Sequence, residues 1–420
     1  MKVLGITDSD SYIKWGASVL DRMPADWETS LVVIRTPALP SASQLHAALS
    51  GTGFVGTAVP LVELDALTAL VAQERPDVVL LSVRGPVVRV LVRMIVAAVD
   101  RRPVIVSGLP GISIPETVLA LYYRSQVDLM ILHSKREIGA FEALAARWGI
   151  PQEFALSTLP FLAAELPAGG GGRDVVFAAQ AKVPKLLAER EQLMGWLVAA
   201  ARQQPEHRIV VKLRGLAGEQ QTHSERYPYD DILAAIPDLP ENLVVSTGPM
   251  SSHLEDAAAL VTVSSTAAIE ALAVGVPVLA LDDFGVSGPL INLVFEESGL
   301  LGTSADLIEG EYRRPSEAWL DENYFHAASD ENWIAAIEAA VARGPVALRP
   351  QFRATLGGNL RRIWDRKRAL GPYDRTLGGY LALAVGLPLR GAVRRLRKVR
   401  ALVRPTAPAE PPVVRPRENA

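Results

Sequence analysis

Short, continuously apolar runs recur along this chain with helical stretches between them, and no other feature restricts its fold as much. The first are KVLGIT (Lys2–Thr7), LVVIR (Leu31–Arg35), DVVLLSV (Asp77–Val83), PVIVSG from Pro103 and DLMIL from Asp128. Within each run apolar and polar residues do not alternate, which marks strands covered on both faces, as in parallel sheets flanked by helices. The stretches Ala66–Glu74, Pro86–Asp100 and Ile114–Ser125 predict helices between them. After PAGGGG (Pro167–Gly172) the pattern restarts. DVVFAA from Asp174 leads into a long helix over Lys185–Gln203, then RIVVKL (Arg208–Leu213), LVVS from Leu243 and AALVTV (Ala258–Val263). A helix over Ala267–Val274 and a strand PVLAL (Pro277–Leu281) complete it. Four consecutive glycines resist any regular element, because each loses much backbone entropy on ordering.

The expected architecture is therefore α/β: two Rossmann-like domains over residues 1–167 and 173–345, with a glycine linker at 168–172. Beyond them the sequence predicts a helical crossover segment at 346–376, a basic amphipathic helix at 377–404 and a disordered tail at 405–420. The return to the first domain is assigned to Arg353–Leu370, which carries Trp364.

Composition narrows the function. The formal net charge of the chain is -3, so the whole chain is not a general polyanion binder. The charge is uneven, with 16 basic and 4 acidic residues from Arg353 to Ala420. Such a segment asks for an anionic surface as partner. There is no cysteine, which excludes disulfides, thiolate metal sites and a cysteine nucleophile. Met1–Thr7 is followed at once by polar residues, so no secretory signal is expected. The run YLALAVGLPL (Tyr380–Leu389) is too short to span a bilayer.

The sharpest candidate site is TVSSTAAIEALAVGVPVLAL (Thr262–Leu281). A buried strand gives way to Ser264, Ser265 and Thr266 and then a helix, so hydroxyls and backbone N–H groups converge on one turn suited to phosphate. Glu270, one turn on, is placed to accept from the two hydroxyls of a ribose. The bland alternative is an ordinary Ser/Thr cap with Glu270 as its capping-box partner. Lys212 and Arg214 lie at the end of a parallel strand, the edge that faces ligand in open α/β sheets. The polar segment beyond them brings His223 as a candidate donor contact. TDSDSYIKWG (Thr7–Gly16) follows the first strand, so Asp8 and Asp10 are candidate general bases for an acceptor hydroxyl. Gly108 and Gly111 form a glycine turn after another strand, with Glu116 beyond it, and His133 sits at a strand end.

The two Rossmann-like halves, the glycine linker and the S-S-T-x-x-x-E-A-x-x-x-G-x-P segment from Ser264 to Pro277 resemble GT-B glycosyltransferases. More narrowly the chain resembles bacterial cell-surface polysaccharide transferases. These are the polysialyltransferase and capsule groups that use CMP-activated sugars, the polyglycerophosphate transferases, and an actinobacterial glycosyltransferase set. The resemblance covers about Lys2–Arg343. It implies that the second half binds the nucleotide-sugar, with phosphate on Ser264, Ser265 and Thr266 and ribose on Glu270. It also implies no resident cofactor, the donor being a substrate, and no bound metal. One departure stands out. The capsule and sialyl groups carry K-x-H-P where this chain reads VVKLRG: Lys212 matches, Arg214 replaces the histidine and Gly215 the proline. Arg214 can neutralise a phosphate but does not act as a proton donor near neutral pH, so the histidine's acid role is not carried over.

The expected activity is transfer of a sugar from a nucleotide donor to a surface polysaccharide or lipid-linked acceptor. A polyol-phosphate transferase of the same fold and a non-catalytic nucleotide-sugar-binding scaffold are the alternatives. The segment Arg390–Arg404, with Leu389, Val393, Leu396, Val399 and Val403 as an apolar stripe, predicts attachment to an anionic membrane surface. Aromatic residues do not interleave with its cations, so no nucleic-acid partner is expected. The expected location is the cytoplasm, peripherally on the inner face of the cell membrane.

Overall fold

The computed structural model describes residues 1–162, 171–213, 226–344, 346–350 and 358–388. The chain divides into two compact units, Met1–Ala354 and Thr355–Ala420. The first unit holds two parallel sheets. Its first sheet comprises β1 (Lys2–Thr7), β2 (Glu28–Ile34), β3 (Leu61–Val62), β4 (Val78–Ser82), β5 (Val104–Gly108), β6 (Leu129–Leu132) and β7 (Glu153–Leu156). The strands lie in the order β3-β2-β1-β4-β5-β6-β7. Between them run α1 (Asp10–Asp21), α2 (Ala42–Leu49), α3 (Leu64–Glu74), α4 (Gly85–Ala98), α5 (Val118–Arg124) and α6 (Lys135–Trp148).

The second sheet follows the same plan. It begins β8 (Asp174–Ala178), α7 (Leu187–Gln203), β9 (Arg208–Lys212), α8 (Tyr229–Ala234), β10 (Leu243–Ser246), α9 (Met250–Glu255) and β11 (Ala257–Thr262). It continues α10 (Ala267–Ala273), β12 (Val278–Leu281), β13 (Leu301–Gly302), α11 (Ser304–Glu309) and α12 (Glu317–Glu322). The strand order is β10-β9-β8-β11-β12-β13.

The continuous apolar runs are explained by coverage of both faces. In β8, Val175 and Phe177 join one core with Leu193 and Leu197 of α7. The alternate residues Val176 and Ala178 join another with Ala268 and Ile269 of α10. A polar residue at either parity would lose its water without a partner, so neither parity is polar. The short edge strands β3, β7 and β13 were not expected from the sequence, since two to four residues carry too little pattern.

The return to the first sheet comes earlier than the sequence reading placed it. Helix α13 (Trp333–Arg343) puts Trp333, Ile337 and Ala340 into the core with Val3, Leu80 and Ile131. Its spacing of four, then three, residues supplies the apolar stripe.

The second unit contains α14 (Gly358–Leu370) and a further helix, α15, over 377–388. The predicted stripe from Leu389 onward, the basic segment Arg390–Arg404 and the tail at 405–420 lie outside the described residues, as do residues 168–170 of the glycine linker. Among the described residues no helix is long and apolar enough to cross a membrane.

Candidate functional site

In each sheet the strand order reverses once, between β1 and β4 and between β8 and β11. At such a point the neighbouring loops leave in opposite directions and open a crevice at the strands' C-terminal edge. The two crevices are built alike. Asp8, directly after β1, accepts from the Arg84 backbone N–H at 3.0 Å and from Arg84 Nε at 2.8 Å. Gln180, two residues after β8, accepts through Oε1 from the backbone N–H and the hydroxyl of Ser264, both at 3.0 Å. In both halves, a side chain following the first strand therefore holds the residue two positions beyond the strand across the switch.

The second of these bonds fixes the Ser264–Thr266 turn. Ser265 N–H donates to Thr262 Oγ1 at 3.0 Å, and Ser265 Oγ accepts from Ala267 N–H at 3.2 Å. Thr266 is the cap residue of α10 and makes no side-chain capping bond. The side-chain bond at this helix start comes instead from Ser265, one residue before the cap. Arg190, buried beneath this region, donates to the carbonyls of Gln180 and Ala181 at 3.1 and 2.8 Å and stacks on Tyr229 at 4.5 Å. Four backbone carbonyls share its guanidinium, which spares the buried cation a desolvation penalty and pins the Gln180 loop. Lys212 ends β9 beside Ala178 and Ser246, at the same sheet edge.

The turn faces the first half. A Cβ placed on Gly111 would lie 3.7 Å from Thr266 Oγ1, so the glycine loop after β5 comes within ordinary van der Waals reach of the serine/threonine turn. Two residues of the same loop connect it back to α1 and across to the second half. A Cβ on Gly108 would run into the Trp15 ring, and Ile114 packs in one core with Ala267 and Ala268. Asp10 begins α1 and is half-buried, whereas Asp8 is fully buried.

His133 is part of this scaffold. Trp15 Nε1 donates to its Nε2 at 2.7 Å, and its Nδ1 lies 2.7 Å from the Ser157 carbonyl. Nε2 also lies 3.0 Å from the Leu109 carbonyl, but accepting from Trp15 requires a lone pair there, which leaves a neutral ring with its proton on Nδ1. Burial pushes its pKa down from 6.5 to about 4. The sign follows directly. Below about pH 6.5 the unfolded ring takes up a proton that the native ring refuses until about pH 4. Stability is thus lost as pH falls through that window, by about 3 kcal/mol in all. Urea midpoints measured between pH 7 and 4 should fall less steeply for His133→Asn than for the wild type. Parallel slopes would show that the ring is not held neutral. Glu137 contributes with the opposite sign, because burial raises its carboxyl, so the difference between the two proteins is the informative quantity.

Residues 3–340 match the family described as "Putative glycosyltransferase (DUF6716)". The chain belongs to this family. No curated protein matches it. Among solved structures, MnaA of S. aureus in a co-structure with UDP is similar, with a TM-score of 0.50 and 12% identity over 81% of this chain and 95% of that one. The "putative UDP-N-acetylglucosamine 2-epimerase" of Listeria monocytogenes has a TM-score of 0.50 and 16% identity, over 81% of this chain and 95% of that one. Such identities show the fold alone, which is the two-domain GT-B arrangement.

Within this family member the structure brings Ser264, Ser265, Thr266 and Lys212 to one sheet edge, with Glu270 in the first turn of α10. Asp8 and Asp10 stand at the corresponding edge of the other sheet. Arg214 and His223 lie outside the described residues. Sequence reasoning missed Gln180, Arg84 and Arg190. The first of these had a signal: AAQAK follows the first strand of its half as TDSDS follows β1.

Proposed function

We propose that this chain transfers a sugar from a nucleotide-activated donor to a cell-surface polysaccharide or lipid-linked acceptor. The observation that supports the reading is the approach of the Gly111 loop, after β5 of the first sheet, to Thr266 at the start of α10 in the second half. The donor phosphate sits on the Ser264–Thr266 turn and the ribose on Glu270, with Lys212 and Arg214 offsetting leaving-group charge. UDP in the S. aureus structure of similar fold supports a nucleotide ligand. In the reaction the acceptor oxygen bonds to the anomeric carbon as the bond from that carbon to the donor phosphate breaks. The acceptor proton passes to a carboxylate of the first half, and the nucleotide leaves as the phosphate anion. Asp10 suits this better than Asp8, because it is only half-buried whereas Asp8 is fully buried against Arg84, out of an acceptor's reach. No resident cofactor or metal enters this scheme. Attachment to an anionic membrane surface through Arg390–Arg404 would bring the enzyme to a lipid-linked acceptor at the inner face of the membrane.

Ser265→Ala combined with Thr266→Ala tests the donor turn. Nucleotide affinity should fall about 10- to 100-fold, the size of hydrogen bonds to a charged group. The loss of one capping bond should lower stability by only about 1 kcal/mol. Unchanged affinity by calorimetric titration would reduce the turn to a helix cap.

A further inference from the structure

We infer that α15 is a membrane-inserting helix, which enters the surface layer of an anionic bilayer through the face carrying Leu377, Tyr380, Leu381 and Val385. These residues are 83, 53, 67 and 59% exposed. Their spacing of three, four and eight from Leu377 places them on one side of a helix. Ala384, also exposed, falls in the same stripe. Ordinary surface helices turn such a stripe inward. Here the inward side is made of glycine and alanine instead. Gly378 lies against Ile363, Gly379 against Lys367, and a side chain at Gly386 would run into the Trp364 ring. Ala382 is buried between them. The helix packs its small residues closely on α14, where the Tyr380 ring also meets the Lys367 ammonium at 3.4 Å, and keeps Leu377, Leu381 and Val385 outside.

Charge selects the occupant. The described part of this unit exposes Arg361, Arg362, Arg368 and Arg375, and α15 itself, over 377–388, contains no charged residue. The sequence continues with seven basic and no acidic residues from Leu389 to Arg404. A second copy of the same unit would bring like charges together around the apolar face. An anionic lipid surface satisfies both features: head groups for the arginines and the acyl boundary for the leucines. At 1.5 Å per residue the described part of the helix, 377–388, is too short to span, and it lies along the interface. This inference rests on the reading of the C-terminal segment as lipid-facing, but gives the insertion to residues that the basic stretch does not include.

The absence of cysteine from the chain allows a clean test. The full-length Val385→Cys protein is labelled with an environment-sensitive dye and mixed with phosphatidylcholine vesicles, with or without phosphatidylglycerol. The emission should shift to the blue only with phosphatidylglycerol and be quenched by lipids bearing a nitroxide on the acyl chain. A label at exposed Glu142→Cys on α6 should not respond. Leu381→Asp, at a solvent-facing position, should weaken vesicle binding about tenfold or more. Truncation after Pro388 separates the two readings. A shorter chain that still inserts its label, with weaker binding, keeps both. Equal binding by the shorter chain would refute the role of Arg390–Arg404 alone. A label that stays aqueous on bound vesicles, or no binding to phosphatidylglycerol at low salt, overturns the inference. So does a blue shift without lipid: if it rises with protein concentration, the face joins two copies, and if it does not, the face docks on the protein itself.

Discussion

Asp10→Asn should lower turnover by about 10²–10⁴-fold while donor affinity stays near wild type, the signature of a lost general base. Asp10 opens α1 at the C-terminal edge of β1 and is half-buried. The same helix reaches the glycine loop through Trp15, and that loop reaches Thr266. A proton acceptor at Asp10 is thus tied by rigid contacts to the turn assigned to the donor. Asp8→Asn is the informative contrast. It loosens the bond to Arg84 and the crevice geometry, so stability should fall together with activity. Full activity of Asp10→Asn would move proton transfer elsewhere, with half-buried Glu116 beyond the glycine loop the next carboxylate to replace.

Glu331→Ala should lower stability by about 2–3 kcal/mol, read as a drop in urea midpoint. Its carboxylate accepts from Arg22 Nη2 through both oxygens, each at 2.8 Å. It also accepts from Thr158 N–H at 3.1 Å, from Thr158 Oγ1 and from Trp333 Nε1 at 2.8 Å. Burial raises its pKa, yet the bonds from Thr158 and Arg22 outweigh that and hold the carboxyl below its ordinary range. Its contribution is present above pH 4.5 and lost as pH falls through the depressed value. Thr158 follows the last strand of the first sheet, and Trp333 begins the helix that returns to it. One carboxylate therefore ties the two points where the chain leaves and re-enters the first half. Removing it leaves Arg22 partly buried without its partner, which costs less than in a fully buried pair because side-chain exposure of Arg22 is 25%. An unchanged midpoint would mean that water replaces these bonds freely.

The alternation of strands and helices was legible because burial on both faces demands uninterrupted apolar runs, as in Val78–Ser82 and Val175–Ala178. The Ser264–Thr266 turn was legible for a similar reason: three hydroxyls between a buried strand and a helix have few uses. Other parts were written in contacts distant along the chain. Arg84 pairs with Asp8 from 76 residues away, and Glu331 meets Thr158 from 173. Neither has a local pattern. Helix α13 carries no distinguishing local mark: its stripe of Trp333, Ile337 and Ala340 resembles that of any surface helix, and only the packing shows which sheet it covers. In the sequence Tyr380–Leu389 reads only as a run too short to span, yet in the fold Leu381 and Val385 face outward because glycines occupy the side against α14.

The central claim is that the two crevices hold a nucleotide-sugar and break its anomeric bond. It is tested most directly by incubating the purified chain with a panel of nucleotide-sugars and a lipid-linked or oligosaccharide acceptor, and following free nucleotide and sugar products by mass spectrometry. At least one donor should release its nucleotide as the sugar appears on the acceptor, and Asp10→Asn should slow both together. A donor that binds but is never consumed, or one recovered as an epimer with its nucleotide still attached, would contradict it.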